Sequence, residues 1–468
     1  MSQPLKVLLA CHRFPPDAVA GVERITQSLG VELTKRGDEV SIVTRRAGPM
    51  STVINSPRIL RGWLPDGSRL YRLTGNLEHP QHFMLHDDRM SRHLSTILAE
   101  TVPDVVHILH LMHLSPQLIP LALRQRAAVV VSLQDYYFAC QRVQLSKPTG
   151  ELCDGPDHGR ACAQTCFGPA TPDSILRWGL RTDYLRQLLL LANRVICPSQ
   201  YVATFFERQG LPRQRIRVIP NAVATPRADP PTVSTYTTPR QRGHLRIAVL
   251  GTIAPHKGQH VILQALEIAE LAKVTLYVFG PTHDFVEYID EFKEQADAIP
   301  GLEVSLYGRY EPGDLPILLH DMDCVIAPSV WPETFCIVSR EALARGIPAL
   351  VSNLGALPEA IVDGVNGYTF NPLQPEELAR HLQQLSEDES LLVALRKGAL
   401  ATNVMSQREH ADAVRDVYQE ALADHRQNGL PESGAFEKID LLRTQLLDAG
   451  FAAPDFGVTT TPVKSAGN

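Results

Sequence analysis

No run of apolar residues in this chain approaches the roughly 18 needed to cross a membrane, and the short stretch Lys6 to Cys11 cannot serve as the core of a signal peptide. From these two absences a cytoplasmic protein is expected. No block of Lys or Arg stands out either. The 51 acidic side chains outnumber 45 basic ones, the formal net charge is -6, and no nucleic-acid partner is expected. Cysteine is sparse, at 8 in 468 residues, which excludes the dense disulfide framework of small secreted domains. The glycine fingerprint GxGxxG is missing after the first apolar run, so a dinucleotide site of that kind is not supported there. What the chain does have is 44% hydrophobic and 21% charged positions, more than one compact core can use and enough for two.

The pattern is that of two α/β units in series. Lys6 to Ala10 (KVLLA) reads as a buried parallel strand, followed by the loop CHRFPPDAVAG. A helix comes next, with Val22, Ile25, Leu29 and Leu33 at helical spacing, and Gly37 closes it before the strand Glu39 to Thr44. Residues 47–92, rich in Pro, Gly, Arg and His, read as loops with short strands near Arg69 to Leu73. Asp104 to His110 and Val129 to Leu133 are further buried strands. The second ends in Gln134, Asp135, Tyr136 and Tyr137, at the edge where ligands gather in open α/β sheets. His107, His110 and His113 are spaced by three, but the strand period puts the first and third on opposite faces and no carboxylate cluster accompanies them. They read as ordinary histidines, one of them lining the crevice, rather than as a metal site. Residues 224–243, loaded with Pro, Thr and Arg, cannot build a core and read as a linker. At Leu245 the grammar restarts with the strand RIAVLG, the loop TIAPHKG and a helix through Val261, Ile262, Ala265, Leu266 and Ala269.

The most informative stretch is Ala327 to Phe370. Glu333 and Glu341 lie there with seven residues between them, Glu333 in a loop after the strand Asp323 to Ala327 and Glu341 in a helix from Val338 to Arg345. Eight residues of helix would rise about 12 Å, so the two carboxylates could meet opposite ends of a nucleotide-sugar. The helix start near Phe335 to Ile337 offers N–H groups to a diphosphate between them. Taken alone, such glutamates are more often a helix-start acid and a solvated side chain. Lys257, in the loop of the second unit's first strand, would in isolation be an ordinary solvated lysine.

The surrounding text changes that weighting. The segments PSVWPETF, EALARGIP, ALVSN, GALPEAI and DGVNGYTF resemble the donor-binding segment of family 4 retaining glycosyltransferases, and the loop APHKG resembles that family's KG loop. The resemblance extends into the first unit, through FPP followed by Gly21 and through the strand edge at Gln134 and Asp135. It implies the α/β GT-B fold, two Rossmann-like domains facing a central cleft. The implied division is 1–223 as an acceptor domain carrying a Cys-rich insertion at 140–166, 224–243 as linker and 244–405 as a donor domain. A helix at 406–426 would cross back to the first domain, and 427–468 would be a partly disordered tail holding one amphipathic piece, Phe436 to Leu447.

The function implied is retaining transfer from a nucleoside-diphosphate sugar to a glycan, lipid-linked or small-molecule acceptor. Glu333 would hold sugar hydroxyls, Glu341 the ribose, Lys257 the diphosphate, and Thr334, Phe335, Cys336 and Ile337 the phosphate or sugar, with Gly21 letting backbone approach a phosphate. The departing phosphate would take the acceptor's proton, and no metal or other cofactor would serve catalysis. This sequence departs from the family at three places. Ala20 replaces a glycine, Gln134 stands where many members have a histidine, and Thr252 and Ile253 stand where an arginine is usual. Glutamine hydrogen-bonds but does not take a proton, so a catalytically weak sugar-nucleotide-binding subunit stays open, as does another GT-B enzyme such as a phosphorylase or epimerase.

Two stretches lie outside that resemblance. Ser174 to Asn193 interleaves Arg177, Arg181 and Arg186 with Ile175, Trp178, Leu185, Leu188 and Leu189. It reads as an amphipathic basic helix with a solvated face and a packed back. The alternative is a face toward anionic lipid, in peripheral membrane contact, or toward an acidic acceptor. Cys140, Cys153, Cys162 and Cys166 fall within twenty-seven residues rich in turn formers and almost devoid of apolar side chains. One structural zinc ion is the expected organiser. Two disulfides, an iron–sulfur cluster and unrelated reduced thiols are the alternatives.

Overall fold

The structure, a computed structural model, describes residues 3–17, 20–45, 58–74, 85, 88–224 and 243–449. The chain divides into two compact units, one of Met1–Pro198, Val202–Ile219 and Arg408–Asn468, the other of Ser199–Tyr201 and Pro220–Gln407. Of the expected linker and tail, residues 225–242 and 450–468 lie outside the described residues.

The first unit begins with β1 (Lys6–Cys11), α1 (Gly21–Lys35), β2 (Glu39–Arg45), β3 (Arg58–Trp63), β4 (Arg69–Thr74), α2 (Asp88–Thr101) and β5 (Val105–Ile108). It continues through α3 (Leu118–Arg124), β6 (Ala128–Ser132), α4 (Pro172–Leu191), β7 (Arg194–Cys197), α5 (Gln200–Arg208) and β8 (Ile216–Val218). The eight strands run in the order β3-β4-β2-β1-β5-β6-β7-β8, parallel throughout except for β3, which pairs antiparallel with β4. Runs such as AVVVS carry no alternation because both faces of a parallel sheet are covered, and every residue of β6 is buried. By contrast β3 is largely exposed, so no apolar run announces it. It and the first turn of α2 occupy a region that reads as loops from sequence.

The second unit contains β9 (His244–Leu250), α6 (Gln259–Ala269), β10 (Lys273–Phe279), α7 (Val286–Asp297), β11 (Leu302–Gly308), α8 (Leu315–Leu318) and β12 (Cys324–Ala327). After these come α9 (Ile337–Leu343), β13 (Ala349–Ser352), β14 (Gly367–Phe370), α10 (Pro375–Glu387) and α11 (Glu389–Ala401). Its parallel sheet has the order β11-β10-β9-β12-β13-β14. Leu245, Ile247 and Val249 of β9 pack with Val261, Ile262 and Leu266 of α6 in its core.

Two helices complete the first unit. On α12 (Gln407–Asn428), Ala411, Val414, Tyr418, Ala421 and Leu422 form a buried helical stripe. Its polar flank ties to the sheet through Arg415 to Asp38 (2.9 Å) and Glu420 to Arg194 (3.1 Å). α13 (Ser433–Asp448) packs against α4.

In each sheet the strand order reverses once beside the first strand, between β1 and β5 and between β9 and β12. Loops leaving two such strands depart toward opposite faces, and a crevice is left at their carboxyl ends.

Candidate functional site

At the reversal of the second unit the loop after β9 carries Lys257 in a short turn, Pro255–Lys257. Gly258 follows at φ +73, and a side chain there would strike the Pro328 carbonyl, its Cβ falling 2.0 Å from that oxygen. The two loops are thus in backbone contact, reinforced by the Val330 amide donating to His256 O at 3.0 Å. Across this contact Lys257 Nζ donates to Glu333 Oε1 at 2.8 Å, and the Ser329 hydroxyl donates to the same oxygen. Lys257 also sits 5.6 Å from the centroid of the Trp331 ring.

The electrostatics of this pair are those of two charges. Burial works to raise the Glu333 pKa, but the Lys257 charge and the hydrogen bonds from Lys257 and Ser329 outweigh it and hold the carboxyl below its ordinary value. For Lys257 burial works downward, and Glu333 more than compensates, carrying the ammonium above its usual value. His256, buried beside that ammonium, is pushed down to about 4.

The turn bearing Glu333 is clamped from behind. Gly355 lies so close that its Cβ would fall 2.5 Å from Glu333 O, and the Ala356 amide donates to that carbonyl at 2.8 Å. Arg340 spends its guanidinium on the Phe335, Cys336 and Ala356 carbonyls while stacking 4.0 Å from the Phe335 ring. Cys336 takes a left-handed backbone, φ 64, as it caps α9. Thr334, Phe335, Cys336 and Ile337 therefore form one braced turn into that helix.

Two sequence expectations need correction here. The helix spans Ile337–Leu343 rather than Val338 to Arg345, so only about half of the interval between Glu333 and Glu341 is helical and the 12 Å rise does not apply. Glu341 itself is 2% exposed, and Glu333 and Lys257 form a largely buried pair where exposed loop side chains are the ordinary case.

At the reversal of the first unit stand imidazoles. His12, just past β1, lies 3.3 Å from Glu23 of α1, with ring centroids 4.5 Å from His110 and 5.9 Å from His113. His110 Nδ1 accepts from the Met112 amide at 3.0 Å, which leaves Nε2–H to donate to Asp135 Oδ2 at 2.7 Å. Asp135 Oδ1 accepts from the Tyr137 amide at 2.8 Å. Burial, with neighbouring imidazoles and Arg13, drives the His12 pKa well below its normal value, and burial raises that of Glu23. The contact between them is accordingly one in which burial disfavours the charged form of each group.

Gln134 stands with Asp135, partly exposed, just past β6, and Gly21 opens α1 two residues before Glu23. His107 belongs to the core of the unit, bonded to Tyr418 at 2.7 Å and Ser132 at 2.8 Å. The sequence reading missed His12, Glu23, Ser329 and Arg340. His12 follows the buried strand β1 directly and Ser329 comes two residues after β12, places that could have drawn attention to them.

The basic helix is also revised. Arg181 of α4 is buried and α13 covers part of that helix, so its arginines do not form one solvated face. No described helix is long and apolar enough to cross a membrane. The four cysteines of 140–166 line one small cavity. Among the described residues, no three His, Cys, Asp or Glu side chains already converge as a formed metal site.

Two family models match the chain, Glycosyltransferase Family 4 over residues 19–227 and Glycosyl transferases group 1 over residues 238–401. The lipopolysaccharide 1,2-N-acetylglucosaminetransferase of Salmonella typhimurium is 28% identical over 213 residues, 42% of this chain and 53% of that protein. A D-inositol 3-phosphate glycosyltransferase of Salinispora tropica is 32% identical over 196 residues, 40% of each. The matched stretches span about half or less of these relatives' length. Among solved structures, HepE of Anabaena in complex with UDP and glucose aligns with a TM-score of 0.61 at 17% identity, covering 89% of this chain and 99% of that one. Sucrose-phosphate synthase from Thermosynechococcus elongatus aligns at 0.63 and 16%, covering 90% and 100%. At such identities the likeness establishes the fold, the GT-B architecture of two Rossmann-like domains.

Proposed function

The chain belongs to the glycosyltransferases of family 4 and group 1, and from that premise we propose that it moves a sugar from a nucleoside-diphosphate sugar to a glycan, lipid-linked or small-molecule acceptor with retention at the anomeric carbon. The observation that carries this reading is the Lys257–Glu333 pair at the reversal of the second sheet. Both hydrogen bonds to Glu333 fall on Oε1, so Oε2 is the oxygen to receive sugar hydroxyls. Lys257 has three N–H groups and gives one to Glu333, and the others serve a diphosphate. As the bond between the sugar and the diphosphate breaks, negative charge grows on the leaving group beside that ammonium, which stabilises the transition state more than the ground state.

The acceptor oxygen bonds to the same carbon on the same face, and its proton passes to a departing phosphate oxygen. No side-chain nucleophile and no divalent ion enters this scheme. The braced turn 334–337 supplies amides toward the phosphate or sugar, and Glu341 supports the ribose end once the donor is seated. In the first unit, Gln134 and the Asp135–His110 dyad offer hydrogen-bonding groups to an acceptor.

Thermal-shift screening against UDP-, GDP- and ADP-sugars tests donor binding, since a ligand at about 100 times its Kd stabilises the fold by roughly 2.7 kcal/mol. UDP-glucose is the first to try, because the Anabaena relative was crystallised with it. NMR of the product's anomeric proton then tests retention. Inverted product, sugar release without an acceptor, or no stabilisation by any donor would each reject the proposal.

A further inference from the structure

Cys140, Cys153, Cys162 and Cys166 reach their common cavity from three different local structures. Cys140 ends the turn that follows β6, its amide donating to Tyr136 O at 2.6 Å. Cys153 leaves a tight hairpin in which Ser146 bridges Leu152 and the Cys153 amide donates to Leu145 O at 2.8 Å. Cys162 and Cys166 sit one turn apart on the helical segment Cys162–Cys166, a spacing that presents both thiols on one side. All four are free thiols, and all four line that one cavity. Sequence positions as far apart as 140 and 166 thus line one cavity, in a segment with almost no apolar side chains of its own.

A second observation comes from α4. Arg181 is 2% exposed; it donates to Tyr137 O at 3.0 Å, and its Nε has no hydrogen-bond partner. Among the described residues, Tyr137, Cys162 and Cys140 are the ionisable groups that act on this guanidinium. A buried cation without a counter-charge is expensive. Neutral thiols do not supply one, whereas thiolates do.

We infer that the four cysteines hold one structural zinc ion as thiolates, and that Arg181 is the buried charge partner of this site. Loading exchanges four S–H protons, which leave to solvent, for four Zn–S bonds, and needs neither oxidant nor reductant. A zinc tetrathiolate carries a net charge of about -2, and the Arg181 cation faces two of its sulfurs. Because the thiols ring a cavity and do not yet converge, the ion is what draws them together. The module is joined to the sheet edge through Cys140 to Tyr136 and Arg181 to Tyr137, directly after Gln134 and Asp135. Where the proposed transferase reading holds, the ion positions that edge without touching substrate.

The test uses the full-length chain, purified under reducing conditions without chelator, and its first readout is independent of any donor or acceptor. Elemental analysis should find about one zinc per chain. Exchange for cobalt should produce the charge-transfer and intense d–d absorption of a tetrahedral thiolate. Withdrawing the metal with a chromophoric chelator should expose four thiols to a thiol reagent, a measurement on the wild-type chain that holds even if the cysteine variants fold poorly. Replacing Cys153 and Cys166 together by serine should abolish binding. Arg181→Met should weaken zinc affinity about 10- to 100-fold, and Arg181→Lys should recover most of the loss.

Absence of metal near one equivalent, iron with acid-labile sulfide, two disulfides by mass, or normal metal content in the double cysteine variant would overturn the zinc assignment. Wild-type zinc affinity in Arg181→Met would overturn the charge partnership.

Discussion

At the reversal of the first sheet stand His12, Glu23, His110 and Asp135; at the same topological place in the second stand Lys257, Ser329 and Glu333. Both groups are largely buried, yet burial has opposite outcomes. His12 and Glu23 lie 3.3 Å apart among other imidazoles and are both shifted toward neutrality. Lys257 and Glu333, at 2.8 Å and with a serine hydroxyl added, are both shifted toward charge. Whether a buried acid–base pair ionises depends on whether the partner's field and hydrogen bonds exceed the cost of desolvation. The charged pair suits a diphosphate leaving group. The first cluster, with its imidazoles and hydrogen-bonded carboxyls, offers donors and acceptors of the kind hydroxyls ask for.

The sharpest way to break this contrast is kinetic. Glu333→Gln and Lys257→Met should each lower transfer roughly a hundredfold at saturating donor, and near-wild-type turnover in either would remove the assigned roles. Next in size is stability. Each single change strands a charge in a partly solvated pocket, so urea unfolding should show a loss of about 2 kcal/mol, below the full value for a buried pair because Lys257 is partly exposed. The double variant should be no worse than the poorer single one; simple addition of the two losses would mean that the pair is not coupled.

In the first unit the effects should be smaller. Asp135→Asn leaves one acceptor oxygen for two donors, the Tyr137 amide and His110 Nε2–H, and should cost about tenfold in kcat/KM, the worth of one hydrogen bond to a charged group. Gln134→His should keep activity, while Gln134→Ala should raise KM more than it lowers kcat. A wild-type Gln134→Ala variant in both parameters would take that sheet edge away from the donor.

A further effect is one of slope. His107, buried and bonded to Tyr418 and Ser132, is pushed down to about 3, and His256 to about 4. A native pKa below the unfolded one means the unfolded chain binds more protons, so the stabilisation is whole above about pH 6.5 and is lost as pH falls toward the folded value. His107→Gln should therefore flatten stability against pH by up to about 1.4 kcal/mol per unit between roughly 6.5 and 4. An unchanged slope would show that this imidazole is not held neutral.

Much of the fold was legible because buried parallel strands must be apolar without alternation. KVLLA, VVVSL and RIAVLG declare themselves, and the text from Ser329 to Phe370 marks the family by residue identity. The exposed strand β3 was not legible, since nothing apolar distinguishes it from a loop. Nor was the burial of Arg181: an arginine among leucines looks like a solvated face until the chain of 140–166 and α13 are laid against it.

The sequence by itself determined the two α/β units, their strand runs, the family and the residue types at the second sheet's edge, because these rest on local composition and periodicity. Tertiary structure alone decided that Lys257 meets Glu333 across 76 positions of chain, that His110 meets Asp135 across 25, and that Arg181 faces thiols rather than solvent. Such pairings arise where strand order reverses and loops from distant segments converge. Distance and desolvation then set the charge each group carries, and neither quantity is a property of residues read one at a time.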